Sequence, residues 1–546
     1  GAEEIVERLV RESNNGVGVF YNRVGSISRD LSVLMASVLA EERLRDRYEG
    51  DTENVLLISE EKTSDQPVDQ MRDANEWRRN EKQDKSGLVV LDAFAASGVR
   101  ALSRYLTEVP GVRRVVANDY DTSAVELMRR AGDLCGAGKE FEARYGDALD
   151  VMYAARAGGL GTYDIIDIDP YGESASFLDA GVQAVKDGGL LCITSTDMPV
   201  LSGVQPEAAY ARYGSVPTRG GYHQEMSLRI LLHATSAAAA RQRRSIKPVL
   251  SVAVDHYVRV FVRIFRSPKA ALVVARNKAS YVLQSETCPS FFVVPVLARK
   301  SARKAKSLAR ATPFEDSQPS STLYEEGDSD SGQAVIPPLG GRCPETGGNL
   351  RIGGPIWSGP LHDQAWVARA IALASGGGKP ISRVTGVKDR QAEKQPRLVA
   401  RRRVESLLEA VSRELEDVPL FYNLREMFAT LGLRFSPRRE QVMRALEDAG
   451  YRTSGMHKEP LALKTNAPDA AVWDVLRCWV REHPQPPPLR FAGREILARG
   501  PQVITDATFV TALTGDGRKR LVNNGGFLHT CNPEEGWGPL PRGSVM

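Results

Sequence analysis

Cysteine is scarce in this chain: six in 546 residues, at Cys135, Cys192, Cys288, Cys343, Cys478 and Cys531, with no C-x-x-C pair. So few thiols argue against a secreted disulfide scaffold and fit a reducing compartment. No apolar run is long enough to span a bilayer and no secretory signal opens the sequence, so no membrane partner is expected. Neither sign of charge dominates. The 72 Lys and Arg residues stand against 68 Asp and Glu, a formal net charge of +4, so bulk charge does not declare a nucleic-acid partner. A G-x-x-x-x-G-K-[ST] loop is also missing, which counts against a nucleoside triphosphatase. What is present is ordinary for a globular chain: 42% hydrophobic and 26% charged residues. At roughly 100–200 residues per domain the length predicts several domains. It also allows a large core without disulfides or metal clips.

Residues 88–265 alternate short apolar strands with helical patterns. Strands are predicted at 88–93, 115–119, 141–145, 163–169 and 189–196, and helices at 123–134, 174–185 and 221–242. This rhythm predicts an α/β domain on a parallel, doubly wound sheet. The β-branched stretch 249–265 reads as a terminal strand or two. Residues 50–86 and 301–335 are polar, lack apolar periodicity and read as solvated insertions. Helical periodicity returns at 403–415, 423–433 and 438–451. The last two helices fit either a small nucleic-acid-reading module or a plain packing domain.

Four acidic residues fall at the carboxyl ends of the predicted strands: Asp92, Asp119, Asp147 and Asp169. In open α/β sheets that edge is where ligands bind. One such acid is readily a helix cap. Four in sequence would crowd negative charge on one rim unless a ligand organised it. The first loop, DAFAASGVR at 92–100, has small residues up to Gly98 that let a ligand approach the backbone. It is not G-x-G-x-x-G, which lowers the case for a dinucleotide. Asp119 stands where an acid can bind both ribose hydroxyls, and Asp147-Ala148 where an adenine edge is gripped. Ribose and adenine without a phosphate cradle point to S-adenosylmethionine. The fourth strand ends Asp169-Pro170-Tyr171-Gly172. A nucleobase amine is a poor nucleophile, because its lone pair is delocalised into the ring. The Asp169 carboxylate and the Pro170 carbonyl can accept its two hydrogens and favour a tetrahedral nitrogen, with Asp169 taking a proton. Tyr171, or Phe20 in VFYN, can stack on the base. The competing reading is a capped strand end with a core aromatic.

These residues resemble a known family, the tRNA guanine-26 N2-methyltransferases, whose members make N2,N2-dimethylguanosine. The resemblance is carried by VGVFYNRVGSISRDLSV (17–33), DAFAASGVRALSRY (92–105), ANDYD (117–121), GDAL (146–149), DIDPYG (167–172) and TSTDMPVLSG (194–203). It continues through YGSVPTRGGYHQEMSLRILL (213–232), SVAVDHYVRVFVRI (251–264), GGPIWSGPLHD (353–363) and HKEPLALKTNAP (457–468). It implies a Rossmann-like class I S-adenosylmethionine-dependent methyltransferase domain over 1–270. A smaller α+β tRNA-binding domain follows over 271–484, and 485–546 is an unassigned extension. It implies that Arg29, Arg100, Asp119, Asp147 and Ala148 hold the cofactor, to which the reading of the residues adds Asp92 and Gly98 of the first loop. It implies that Phe20, Asp169 and Pro170 hold the target guanine, with Asp169 central, and the reading of the residues offers Tyr171 as the other stacking ring. Arg29 and Phe20 come from the resemblance alone, the competing reading being an N-terminal arm packed on the sheet. The resemblance also implies tRNA as partner, a monomer, and a nuclear or mitochondrial location in a eukaryotic source, with the cytoplasm open.

The sequence departs from its relatives at one place. Many carry two C-x-x-C pairs suited to tetrahedral zinc. Here the pairs read Ser285-Glu-Thr-Cys288 and Cys343-Pro-Glu-Thr346, and each has lost a thiol. No metal is therefore expected. Basic runs at 241–247, 299–310, 388–403 and 434–439 fit phosphate contacts. The enzyme reading competes with a catalytically silent tRNA-binding protein or RNA chaperone of the same fold. It also competes with an enzyme acting on an adenine amine or on ribosomal RNA.

Overall fold

The computed structural model describes residues 1–13, 19–21, 25–60, 87–156, 161–299, 331–333, 341–377, 395–484 and 486–509. Most of both polar segments, all but the first residue of the 299–310 basic run and residues 388–394 lie outside them. The backbone of residues 50–60, the start of the first polar segment, continues the long helix that begins at Ser26.

The central sheet has seven strands: β1 (Leu88–Asp92), β2 (Val112–Asp119), β3 (Phe141–Tyr145), β4 (Tyr163–Ile168), β5 (Val185–Ser195), β6 (Arg244–Val254) and β7 (Tyr257–Arg266). Their order is β3-β2-β1-β4-β5-β7-β6. The first five are parallel. Strand β7 inserts antiparallel between β5 and β6, so the sheet is mixed rather than wholly parallel. The cause is the short Asp255-His256 connection, with Asp255 at φ 49°, which is too short for a crossover and closes a hairpin. The chain reverses its direction of winding between β1 and β4, and this switch point opens the crevice where the strand-end acids stand.

Both faces of the sheet are covered. One carries α5 (Leu178–Ala184) and α6 (His223–Arg241). The other carries α2 (Ser26–Glu60), with Ile27, Leu31, Leu34 and Met35 buried. Helix α1 (Ala2–Ser13) packs on α3 (Thr122–Leu134), and Asp147 caps α4 (Ala148–Ala154). Two later helices, α7 (Gln364–Ala374) and α8 (Arg401–Ser412), return to the α2 face through Trp366, Val367, Leu407 and Leu408. The stretch predicted as a separate C-terminal domain thus builds part of the first core.

Beyond the central sheet, β8 (Ala279–Ser285), β9 (Phe291–Pro295), β10 (Leu297–Arg299), β11 (Ser331–Gln333) and β12 (Leu350–Trp357) form one sheet ordered β12-β8-β9 and one β10-β11 pair. Next come β13 (Tyr422–Asn423), α9 (Leu424–Leu431), α10 (Arg439–Asp448), β14 (Thr453–Met456) and β15 (Glu459–Thr465), with sheet order β13-β15-β14. This is a helix-turn-helix followed by a β-hairpin. Helices α11 (Asp469–Glu482) and α12 (Phe491–Ala498) close the core around the buried Trp473. The boundary expected at 485 falls inside this core. Ile496, Ile504 and Ala507 pack in it, and the Asp474 carboxylate accepts the N–H groups of Gln502, Val503 and Ile504 at 2.9, 2.6 and 3.1 Å.

The hairpin turn does not project outward. His457 at its tip accepts the Ala253 N–H of β6 at its Nε2, 2.9 Å away. Beside it, Lys464 of β15 donates to both oxygens of Glu225 on α6 at 2.7 Å, and Glu225 also accepts Arg229 Nε at 2.9 Å and the Leu420 N–H at 2.8 Å. Burial alone would raise the Glu225 carboxyl. The Lys464 and Arg229 cations override it and hold it below the usual range. The two halves are joined by buried, fully partnered charge.

Candidate active site

At the switch point, the first loop is pinned by backbone and carboxylate. The Ala93 N–H donates to Asp167 O at 3.0 Å, and the Ala96 N–H to Asp119 Oδ2 at 2.7 Å. Ala96 and Gly98 take φ of 47° and 73°, so the loop turns sharply toward its helix. A Cβ on Gly98 would meet Met128 Cγ at 2.7 Å, so packing as well as backbone conformation requires the glycine.

Four carboxylates stand along this edge, and they differ in what holds them. Asp167 is fully buried. It accepts Arg100 Nη1 at 2.9 Å, Arg259 Nη2 at 2.7 Å, the Tyr105 hydroxyl at 2.6 Å and Ser32 Oγ at 3.2 Å. Burial raises such a carboxyl, but the two guanidinia prevail and hold Asp167 below its ordinary value. Asp169, the residue after β4, is 24% exposed at its side chain. Its Oδ2 accepts Arg100 Nη2 and lies 3.9 Å from Arg259 Nη1. Among the described residues its Oδ1 accepts no hydrogen bond. Asp92 is buried, among the described residues neither of its oxygens is hydrogen-bonded, and burial pushes its pKa up to about 7, with Asp167 and Asp169 adding to the rise. Asp119 accepts the Asp121 N–H at 3.0 Å as well as that of Ala96.

The remaining predicted residues spread around this centre. Asp147 is exposed and its side chain accepts the Leu149 N–H at 2.7 Å, so it does cap a helix; Ala148 beside it is buried. Arg29 is buried on α2, 5.8 Å from the Tyr21 ring centroid and 3.7 Å from Glu3. Burial lowers its pKa. Pro170 is buried, Phe20 is half-buried, and Tyr171 is 66% exposed. Gly172, at φ 100°, exchanges hydrogen bonds with Thr196, which fixes the turn that carries Pro170 and Tyr171.

Several neighbours escaped the sequence reading. Asp167, Tyr105, Ser28, Ser32 and Arg259 build the ion cluster, and the exposed rings of Tyr120 and Tyr145 stack at 5.8 Å beside Asp119. One signal was available: Arg259 interrupts an alternating apolar strand, where a charge must be buried and partnered.

Two other clusters were tested as metal sites. Cys288 Sγ and Cys343 Sγ lie 3.6 Å apart, with Ser285 Oγ 3.4 Å from Cys288 Sγ. Thr346 Oγ1 instead shares a 2.7 Å hydrogen bond with Thr287 Oγ1. Two thiols and two neutral hydroxyls do not supply the donor set of structural zinc. His362, Glu414 and His457 also converge in the core. His362 Nδ1 accepts the Ser251 N–H at 3.2 Å and His457 Nε2 that of Ala253 at 2.9 Å. The ring nitrogens facing Glu414 therefore carry the protons, which leaves no lone pair for a metal.

In the basic run 241–247, Arg241 pairs with Asp179 at 3.1 Å, Arg244 donates to the Val182 and Val185 carbonyls at 2.7 Å, and Lys247 pairs with Asp363 at 2.5 Å. Three of its four cations are thus paired within the fold, and Arg243 is exposed. In 434–439, Arg434 and Arg438 are exposed beside Phe435.

A sheet of order 3-2-1-4-5-7-6 with a reversed seventh strand, its carboxylates lining the switch point, defines a Rossmann-like methyltransferase of the class I type. The family described as N2,N2-dimethylguanosine tRNA methyltransferase matches residues 3–477, and the chain belongs to it. The chain is 38% identical to tRNA (guanine(26)-N(2))-dimethyltransferase 1 of Arabidopsis thaliana over 88% of its own length and 72% of that protein. It is 32% identical to tRNA (guanine(26)-N(2))-dimethyltransferase of Drosophila melanogaster over 100% of its own length and 88% of that protein. Its fold resembles that of Trm1 from Pyrococcus horikoshii, solved with S-adenosyl-L-methionine. That likeness has a TM-score of 0.59 and 22% identity, over 84% of this chain and 94% of the other.

Proposed function

We propose that this chain is a tRNA methyltransferase that carries methyl groups from S-adenosylmethionine to the exocyclic N2 of guanosine 26, twice in succession. The observation that carries the reading is Asp169. One of its oxygens is clamped by Arg100, while its side chain stays 24% exposed and, among the described residues, the other oxygen accepts no hydrogen bond.

The crevice fits a cationic adenosyl cofactor. Asp92 offers a buried carboxylate with both oxygens unspent, suited to an ammonium or sulfonium. Asp119 would take the ribose hydroxyls, and Asp147-Ala148 the adenine edge. Arg29, Gly98 and Arg100 complete the cradle. S-adenosylmethionine, when bound, supplies an electrophilic methyl group. The protein's part is to hold the extruded guanine. Phe20 and Tyr171 stack on the base, and Asp169 Oδ1 and the Pro170 carbonyl accept its amine hydrogens. That pair of acceptors disfavours the planar, delocalised amine. Asp169 would then take the proton released as the N–C bond forms and the S–CH3 bond breaks, with S-adenosylhomocysteine leaving. Holding both reactants in line supplies much of the acceleration. The hairpin half grips tRNA, with the exposed Arg434, Phe435 and Arg438 as phosphate and base contacts. No zinc takes part. The protein acts as a monomer, which light scattering tests. Its place is the nucleus or the mitochondrion, which imaging of the tagged chain tests.

The experiment is incubation with unmodified tRNA transcripts and S-adenosylmethionine, followed by nucleoside mass spectrometry. Dimethylguanosine is expected with the wild type. It vanishes with Asp169→Ala, which still binds tRNA, and with tRNA substituted at position 26. Equal loss of methylation and tRNA binding in Asp169→Ala would sink the assigned role. Binding without methylation by the wild type would favour the silent adaptor.

A further inference from the structure

A buried guanidinium inside a β-strand is costly unless it is fully engaged. Arg259 is such a group, wholly inaccessible on β7, between Val258 and Val260, which belong to the opposite apolar face. Its Nη2 donates to Asp167 Oδ2 and to Ser32 Oγ, both at 2.7 Å, and its Nη1 donates to Thr194 Oγ1. Its Cζ lies 4.9 Å from the Phe261 ring centroid, so the plane of the fork is fixed as well. From that seat Nη1 faces Asp169 Oδ2 at 3.9 Å, the oxygen that Arg100 Nη2 also holds.

We infer that Arg259 is a positioning residue for methyl transfer. It backs the Asp169 carboxylate from the sheet, so that Oδ2 is anchored and Oδ1 is turned toward the target amine. Arg100 sits where the first loop enters its helix, and Arg259 sits on a strand hydrogen-bonded on both sides, so the carboxylate is held from two separate elements. The chain Ser32–Arg259–Asp167–Arg100 thus ties helix α2, strands β7 and β4 and the first loop to one carboxylate. The charge serves the reaction as well as the geometry. Three carboxylates, Asp92, Asp167 and Asp169, share this buried edge with the two guanidinia, and removing either leaves Asp169 facing more negative charge.

This inference rests on Asp169 being the acceptor, and the test separates the two. Single-turnover methylation of tRNA is measured for wild type, Asp169→Asn, Arg259→Lys and Arg259→Met, with calorimetric S-adenosylmethionine binding and tRNA affinity alongside. Arg259→Met is expected to slow the single-turnover rate at saturation roughly 100-fold, the scale of losing one preorganised charged donor. Its affinities for cofactor and tRNA should stay near wild type. Arg259→Lys, which keeps a charge but loses the fork, is expected to recover part of that loss. A saturating rate in Arg259→Met equal to wild type would overturn the inference, and so would a loss confined to KM or no recovery in the lysine variant. Should Arg259→Met fail to fold, Arg259→Lys alone decides: an unchanged rate at saturation overturns the inference, and a clear slowing with unchanged affinities supports it. Full activity in Asp169→Asn would bring down the acceptor assignment itself, whatever the Arg259 variants do.

Discussion

Asp92 and Asp169 close neighbouring strands, yet their surroundings set them to different tasks. Asp169 has a guanidinium on one oxygen and a side chain that stays 24% exposed. Asp92 is sealed in with both oxygens unpartnered, and its pKa is pushed up to about 7. Because this folded-state value lies above the ordinary carboxylate value, ionising Asp92 costs stability as pH rises toward about 7. A cationic cofactor reverses that cost, since it prefers the ionised form. S-adenosylmethionine affinity should therefore strengthen between about pH 6 and about pH 8. Asp92→Asn should bind more weakly and lose most of that pH dependence. Calorimetry across this range checks it, and an unchanged pH profile in Asp92→Asn would remove Asp92 from the cofactor site. At the ribose end, Asp119→Ala should weaken cofactor binding by roughly ten- to a hundredfold, the scale of a hydrogen bond to a charged group. Unchanged calorimetric affinity would refute that placement.

Among elements, the contrast lies between what strand patterns reveal and what they conceal. The parallel strands β1, β2, β4 and β5 were legible because each carries an apolar run ended by a polar turn, and β3, the edge strand FEARY, by its place in the strand–helix rhythm. The antiparallel pairing of β6 and β7 was not, since alternation looks the same in either direction. Helices α7 and α8 were legible as helices, but nothing in their periodicity says which core they enter. The hairpin β14–β15 is another such case. It follows a helix-turn-helix, yet its tip is inserted against β6 and its Lys464 is spent on Glu225. Lys464→Met should leave Glu225 with one cation fewer in a buried site and destabilise the protein by about 3 kcal/mol. Chemical denaturation measures this; a change within error would mean that the pair is replaceable by apolar packing. The thiol pair at β8 belongs to the same scale. Metal analysis of the purified protein should find zinc well below one per chain, and removing Cys288 by Cys288→Ser should not change metal content. Stoichiometric zinc lost in that variant would reinstate the ancestral site.

For the whole molecule, the joined halves matter more than either alone. Buried contacts from α6 to β15 and from β6 to the hairpin tip leave the half proposed above to grip tRNA at a set distance from Asp169. On that proposal, selection of one guanosine follows from where the tRNA body is held. The sequence by itself determined the strand–helix alternation, the acids at the strand ends, the Asp169-Pro170-Tyr171-Gly172 turn and the family, because these depend on residue type and local spacing. Only the tertiary structure decided which carboxylates are clamped and which are open. It paired Arg259, 92 residues away in sequence, with Asp167. It paired Arg241, Arg244 and Lys247 of the 241–247 basic run within the fold, and drew α7, α8 and residues 486–509 into existing cores. Each of these depends on which partner a buried charge or an apolar face meets, and that meeting is set by long-range packing that no local pattern encodes.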